Sequence, residues 1–167
     1  SAVAEIVAAG GRAIAMQGDL TKEADARALV AAAVAEFGGV DTLVHVTGGL
    51  VARKTFREMD IDHWNAVMDL NVTSFFHLAK TATPHMPAGS SIVAFASQAG
   101  RDGGGPGAVA YATSKGAVMT MTRGMAKVIP NEETGKLDVD LKPLWAMAEV
   151  PGRIAPGHGA CPGCGAF

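Results

Sequence analysis

At 167 residues the chain has the length of a single domain, and 49% apolar against 18% charged residues is enough to bury a core. A formal charge of −2 without any Lys/Arg cluster excludes an electrostatic footprint for nucleic acid, and no apolar stretch is long enough to cross a bilayer. No charged-then-apolar leader opens the sequence, so a cytoplasmic protein is expected.

Residues 1–9 are rich in Ala, Val and Ile and are followed by Gly10-Gly11, which reads as a helix and its C-terminal stop. Residues 12–17 read as a short buried strand, and Thr21 is a candidate N-cap for a helix that runs to Phe37 ahead of Gly38-Gly39. A second strand is expected over 41–46, ending in Thr47-Gly48-Gly49, and helical periodicity then runs from Asp60 to about Thr83, with Pro84 just beyond. A third strand over 91–96, a Gly-rich loop over 100–107 and a long helix over 109–127 complete the pattern. Parallel neighbours need crossover connections, so this alternation predicts an α/β fold with a parallel sheet and helices on both faces. After Lys127 the texture changes: Pro130-Asn131-Glu132-Glu133 is a polar break, residues 136–141 alternate like an exposed strand, and Pro143, Pro151, Pro156 and Pro162 follow. A boundary is therefore expected near 128–131, dividing a domain over 1–128 from a Pro/Gly-rich tail over 129–167.

Asn71, Ser97, Tyr111 and Lys115 are the polar residues best placed for chemistry. Ligands of open α/β sheets bind beyond the carboxyl ends of the strands, where Ser97 falls. Tyr111 and Lys115 lie four apart near a helix start and so share a face. A free tyrosine ionises near pH ~10, and a neighbouring ammonium favours the phenolate, which suits a proton donor and acceptor at neutral pH. Each residue also has an ordinary alternative. Ser97 can be a strand-end hydroxyl, Asn71 an amide bonded to backbone, Tyr111-Lys115 a surface pair, and His45, His63, His77 and His85 are expected to be structural.

Tyr111-Ala-Thr-Ser-Lys115 resembles the Tyr-x-x-x-Lys signature of the short-chain dehydrogenases/reductases, with Ser97 fourteen residues ahead of Tyr111, Asn71-Val72 in the place of the catalytic asparagine, and Gly18-Asp19-Leu20-Thr21 like the adenine-contacting segment. The resemblance covers residues 1 to about 127, and the stretch over 95–116 is similar to ketoacyl reductases. It implies a Rossmann-type doubly wound sheet and hydride transfer between NAD or NADP and a small-molecule carbonyl or alcohol. In that scheme Tyr111 exchanges the proton with the substrate oxygen, Ser97 hydrogen-bonds that oxygen, Lys115 binds the nicotinamide ribose, and Asn71 orders a water. Asp19 accepts from the adenine amino group, Leu20 lies beside the ring, and Gly48 permits close approach of the cofactor. The family also commonly pairs through the helices expected over 60–83 and 109–127, which allows a homo-oligomer.

Two departures bear on this. His45-Val46-Thr47-Gly48 stands where the family usually has Asn-Asn-Ala-Gly, and the Thr-Gly-x-x-x-Gly-x-Gly turn that holds a pyrophosphate at a helix N-terminus does not occur in these residues. A partial Rossmann sheet without its first βαβ unit is thus expected, binding dinucleotide weakly by itself. Separately, the tail around His158, Cys161 and Cys164 resembles the start of the thiamine-diphosphate-binding subunit of 2-oxoacid:ferredoxin oxidoreductases, whose paired cysteines ligate a 4Fe–4S cluster. A cluster needs four such ligands, and two cysteines cannot complete it. The expectation is therefore an NAD(P)-dependent oxidoreductase without a metal of its own. An iron-sulfur or thiamine-enzyme piece and a non-catalytic Rossmann-like domain are the alternatives.

Overall fold

The computed structural model describes residues 1–129. The tail over 130–167, with Cys161, Cys164 and the strand expected over 136–141, lies outside the described residues.

Helix α1 (Ala2–Ala8) opens the chain with Ser1 as its N-cap. The strand expected over 12–17 does not form: the segment has no ladder partner, and Ile14 and Met16 are exposed. An apolar run supplies side chains for a sheet but cannot supply the neighbouring strand, and none stands beside it among the described residues. Helix α2 (Glu23–Phe37) follows and ends at Gly38 in the left-handed conformation. Its N-cap is Lys22, with no side-chain cap. The expected cap, Thr21, instead donates its hydroxyl to Asp19 Oδ1 at 2.7 Å, closing a local turn one residue earlier.

Strand β1 (Thr42–His45) pairs in parallel with β2 (Ser91–Ala94), Thr42 opposite Ser91 and His45 opposite Ala94. Between them run α3 (Ile61–Met68), capped by Asp60 through a 2.7 Å bond from the His63 amide, a π-turn (Asp69–Thr73), α4 (Ser74–Ala82) and a 3-10 turn (Thr83–His85) containing Pro84. The single helix expected over 60–83 is thus one rod with a π-turn in its middle. After β2 come the short α5 (Ala99–Asp102) and the long α6 (Val109–Val128).

The core lies between β1, β2 and one layer of helices. Helix α4 packs on α2 and β1, and α6 on β2, α3 and the π-turn. Phe75, Leu78, Ile92 and Val118 fill the interior, each worth about 1.5–3 kcal/mol when removed fully from water. On β1, Leu43 and His45 are buried while Thr42 and Val44 are exposed. Helices on both faces were expected; among the described residues the Thr42 and Val44 face of β1 is exposed, while the Leu43 and His45 face is covered. No helix among the described residues is long and apolar enough to span a membrane.

Candidate active site

The end of β1, the π-turn and the first turns of α6 converge on Gly48. A π-turn inserts one extra residue into the helical ladder and re-aims the side chains beside it. Here Ser74 N–H reaches back five residues to Asp69 O, and Asn71 points at the loop after β1. Asn71 is fully buried. Its Oδ1 accepts from Gly49 N at 3.0 Å, and its Nδ2 donates to Gly49 O and Val67 O, both at 2.8 Å. Both amide protons are committed to backbone, so only the second lone pair of Oδ1 is left for a water.

Lys115 is 4% exposed. Its Nζ donates to Phe95 O at 2.8 Å and lies 5.8 Å from the Tyr111 ring centroid. Burial holds its pKa below the usual lysine value. The surface-pair alternative for Tyr111-Lys115 therefore fails at Lys115. A Cβ added at Gly48 would sit 2.6 Å from Asn71 Oδ1 and 2.8 Å from Lys115 Nζ. Only glycine keeps that cleft open between an amide oxygen and an ammonium.

Ser97 lies on the turn into α5, where Oγ accepts from Ala99 N at 3.2 Å, leaving its own proton free for another acceptor. The turn is held against α6 by close backbone contact: a Cβ at Gly100 would meet Gly116 N at 2.7 Å and Lys115 C at 2.8 Å. The Ser97 segment is thereby seated on the helix that carries Tyr111 and Lys115. Asp19 and Leu20 stand at the entry to α2 with different partners. Asp19 Oδ1 accepts from Thr21 N and Thr21 Oγ1, which lower its pKa together with Lys22. Leu20 packs against the core, and its carbonyl accepts from His77 Nδ1 at 3.4 Å.

Several participants were not singled out from the sequence. The Gly49 backbone clamps Asn71, the Phe95 carbonyl anchors Lys115, and Gly100 and Gly116 join two helices through their backbones. Of these only the glycines carry a signal in sequence, as small residues facing one another. His45, expected to be structural, is buried with Nε2 3.1 Å from Ser74 Oγ and its ring 5.1 Å from that of Phe75. Burial first, and then the charge of Lys115, push its pKa down to about 4.

Parallel strands ending at a glycine cleft, crossed by helices that bring a buried lysine and an asparagine to it, define a partial α/β domain of Rossmann type. Residues 1–133 match the short chain dehydrogenase family, and the chain belongs to it. The uncharacterized oxidoreductase YghA of Escherichia coli is 31% identical over 144 residues, which is 86% of this chain and 48% of that protein. An NADH-dependent reductase of alginate metabolism, solved with NAD, superposes with a TM-score of 0.73 at 31% identity, covering 82% of this chain and 58% of its own. A blue fluorescent protein from a metagenomic library, solved with NADPH, gives 0.72 at 34% identity over 77% of this chain and 51% of its own. The chain spans about half the length of the curated relatives it matches first, 48% and 50%. These relatives lend no support to the resemblance of the tail to 2-oxoacid:ferredoxin oxidoreductases. That expectation rested on one short Cys-x-x-Cys stretch, whereas the family match rests on most of the chain.

Proposed function

We propose that these residues belong to an NAD(P)-dependent oxidoreductase that interconverts a small-molecule carbonyl and its alcohol. The observation that carries this reading is the cleft at Gly48, where a Cβ would collide with both Asn71 Oδ1 and Lys115 Nζ. A dinucleotide fits this donor set: a ribose hydroxyl can take a hydrogen bond from a buried ammonium where no side chain intervenes. Bound NADH or NADPH supplies hydride, and solved relatives hold NAD in one case and NADPH in another.

The chain's own residues handle position and the proton. Tyr111 Oη donates a proton to the carbonyl oxygen during reduction and takes it back during oxidation. Ser97 Oγ–H, its lone pair already engaged by Ala99 N–H, donates to the same oxygen. Lys115, held by Phe95 O, presents its remaining protons toward the ribose and its charge toward Tyr111. Asn71 fixes the Gly49 backbone at the cleft floor, with Oδ1 as a seat for a water. Asp19 and Leu20 would meet the adenine. We place the protein in the cytoplasm, with a second copy paired through α3, α4 and α6, where Ile61, Phe76 and Val109 are exposed.

The test uses this chain joined to the part of the NADH-dependent reductase that it does not match, assayed with both cofactors on a panel of ketones and alcohols. Tyr111→Phe is expected to lower turnover about 10²–10⁴-fold with cofactor affinity nearly unchanged. Lys115→Ala is expected to lower both. Near-normal turnover in Tyr111→Phe would refute the assignment.

A further inference from the structure

His45 ends β1 at the position where the family pattern has asparagine, and both its side chain and its backbone lead to the site. Ser74, 0% exposed, lies between the ring and the π-turn, and its Oγ donates to Leu70 O at 2.6 Å. A hydroxyl has one proton, and Leu70 O takes it. Ser74 Oγ therefore meets the ring as an acceptor, and His45 Nε2 carries the hydrogen. Leu70 directly precedes Asn71 in the π-turn. On the backbone side, His45 O accepts from Phe95 N at 3.1 Å, and Phe95 O accepts from Lys115 Nζ at 2.8 Å. One residue thus joins the turn that carries Asn71 to Phe95, just after β2, which anchors Lys115, and those two side chains meet again at Gly48.

We infer that His45 is a positioning residue for the reaction proposed above, its Nε2–H acting through Ser74 Oγ and Leu70 O to hold the Asn71 amide against Gly49. The inference rests on that reaction for its catalytic meaning and on geometry for its content. The neutral ring suits the task. An imidazolium would place a second buried cation near Lys115, whereas the Nε2–H form donates where Ser74 has a lone pair and nothing else to offer. Asparagine at this position would be too short to reach as far as Nε2 does, so the contact with Ser74 needs the longer side chain.

The test uses the isotope-labelled 167-residue chain. Long-range proton–nitrogen correlations read the tautomer of the His45 ring, and hydrogen exchange reads the Gly49 amide, which donates to Asn71 Oδ1. At neutral pH the ring is expected in the Nε2–H form. His45→Phe keeps a ring against Phe75 without the donor, and Ser74→Ala removes the relay. Both are expected to speed Gly49 exchange about tenfold, as loss of roughly one hydrogen bond's worth of local stability would. His45→Gln, whose amide nitrogen reaches as far as Nε2, is expected to stay within about twofold of the parent on the same reasoning, and exchange at Gly38 on α2 stays unchanged in all three. An Nδ1–H ring, unchanged Gly49 exchange in both donor-loss variants, or Gln behaving like Phe would overturn the inference. Should His45→Phe fail to fold, Ser74→Ala decides the point. Neither readout needs cofactor, so a fusion inactive toward every carbonyl would sink the proposed reaction and leave these results standing. In an active fusion, His45→Phe lowers kcat with substrate KM held and His45→Gln restores it; an unchanged kcat would refute the positioning role.

Discussion

Replacing Gly100 by alanine tests whether the Ser97 turn is truly seated on the Tyr111-Lys115 helix. The new Cβ would lie 2.7 Å from Gly116 N, 2.8 Å from Lys115 C and 3.1 Å from Lys115 O, all backbone atoms. No side chain can rotate away, so reaching ordinary contact near 3.4 Å requires α5 and α6 to part by about 0.7 Å, the difference between 3.4 and 2.7. Overpacking of this kind costs about 1–3 kcal/mol, a sizeable part of a typical domain stability of about 5–15 kcal/mol. The displacement passes to Ser97, whose carbonyl accepts from Gly100 N at 3.0 Å, or to Lys115 itself. Gly124 provides the control on the same helix: a Cβ there meets nothing within 4 Å, so Gly124→Ala should stabilise by about 0.5–1 kcal/mol through helix propensity. Urea denaturation followed by circular dichroism should move the midpoint down by about 0.5–1.5 M for Gly100→Ala, taking an m-value of about 2 kcal/mol/M, and up for Gly124→Ala. In the active fusion, a shift approaching 1 Å should cost up to about a hundredfold in turnover. Midpoints that rise together in the two variants would show that α5 does not bear on α6, and the placement of Ser97 would fall with it.

Asn71→Ala removes three hydrogen bonds from a fully buried side chain. It should destabilise by about 2–4 kcal/mol at roughly 1 kcal/mol per bond, and a loss below about 0.5 kcal/mol on the same scale would refute the clamp on Gly49. Stability should also fall with acidification. His45 titrates near 4 when folded instead of near 6.5, so between those values the unfolded chain binds a proton that the native state refuses. The loss develops as pH falls from about 6.5 toward 4 and reaches at most roughly 3 kcal/mol. The exposed carboxylates with lowered pKa values, Asp19, Glu23, Glu58 and Asp60, lose their contribution only as pH falls through the carboxylate range and below. Denaturation midpoints at pH values from neutral to about 5 therefore isolate the histidine, and His45→Gln should flatten the curve there; an identical slope would refute the burial argument.

What could be seen in the sequence is what depends on neighbours along the chain. The four-residue spacing of Tyr111 and Lys115 fixes a shared helix face wherever the helix goes, and Lys115 Nζ does lie over the Tyr111 ring. The turns at Gly38 and Pro84 likewise fall where local backbone chemistry dictates. One failure is local, the missed cap at Thr21, whose hydroxyl bonds Asp19 two residues back; the others depend on a partner distant in sequence. Residues 12–17 have the side chains of a strand, but a strand also needs a ladder partner, which apolar periodicity cannot report. The π-turn at Asp69–Thr73 shifts the register by one residue within a helix whose apolar spacing reads as continuous, so the aim of Asn71 was hidden until the Gly49 backbone stood opposite it.

His45 shows most clearly why a residue can look inert in sequence and bear on a site in three dimensions. A single histidine within an apolar strand is ordinarily core, and its burial agrees with that expectation. The chemistry comes from Ser74, 29 residues away, whose one proton is already given to Leu70. That commitment fixes which ring nitrogen carries hydrogen, and the fixed nitrogen ties the strand to the turn. The departure from Asn-Asn-Ala-Gly at 45–48 therefore leaves the part that approaches cofactor, Gly48, unaltered, and replaces an asparagine by a longer donor matched to a hydroxyl on α4. Removing the hydroxyl at 74 would leave the buried ring nitrogen at Nε2 without this partner in either tautomer, at a cost of about 1–3 kcal/mol.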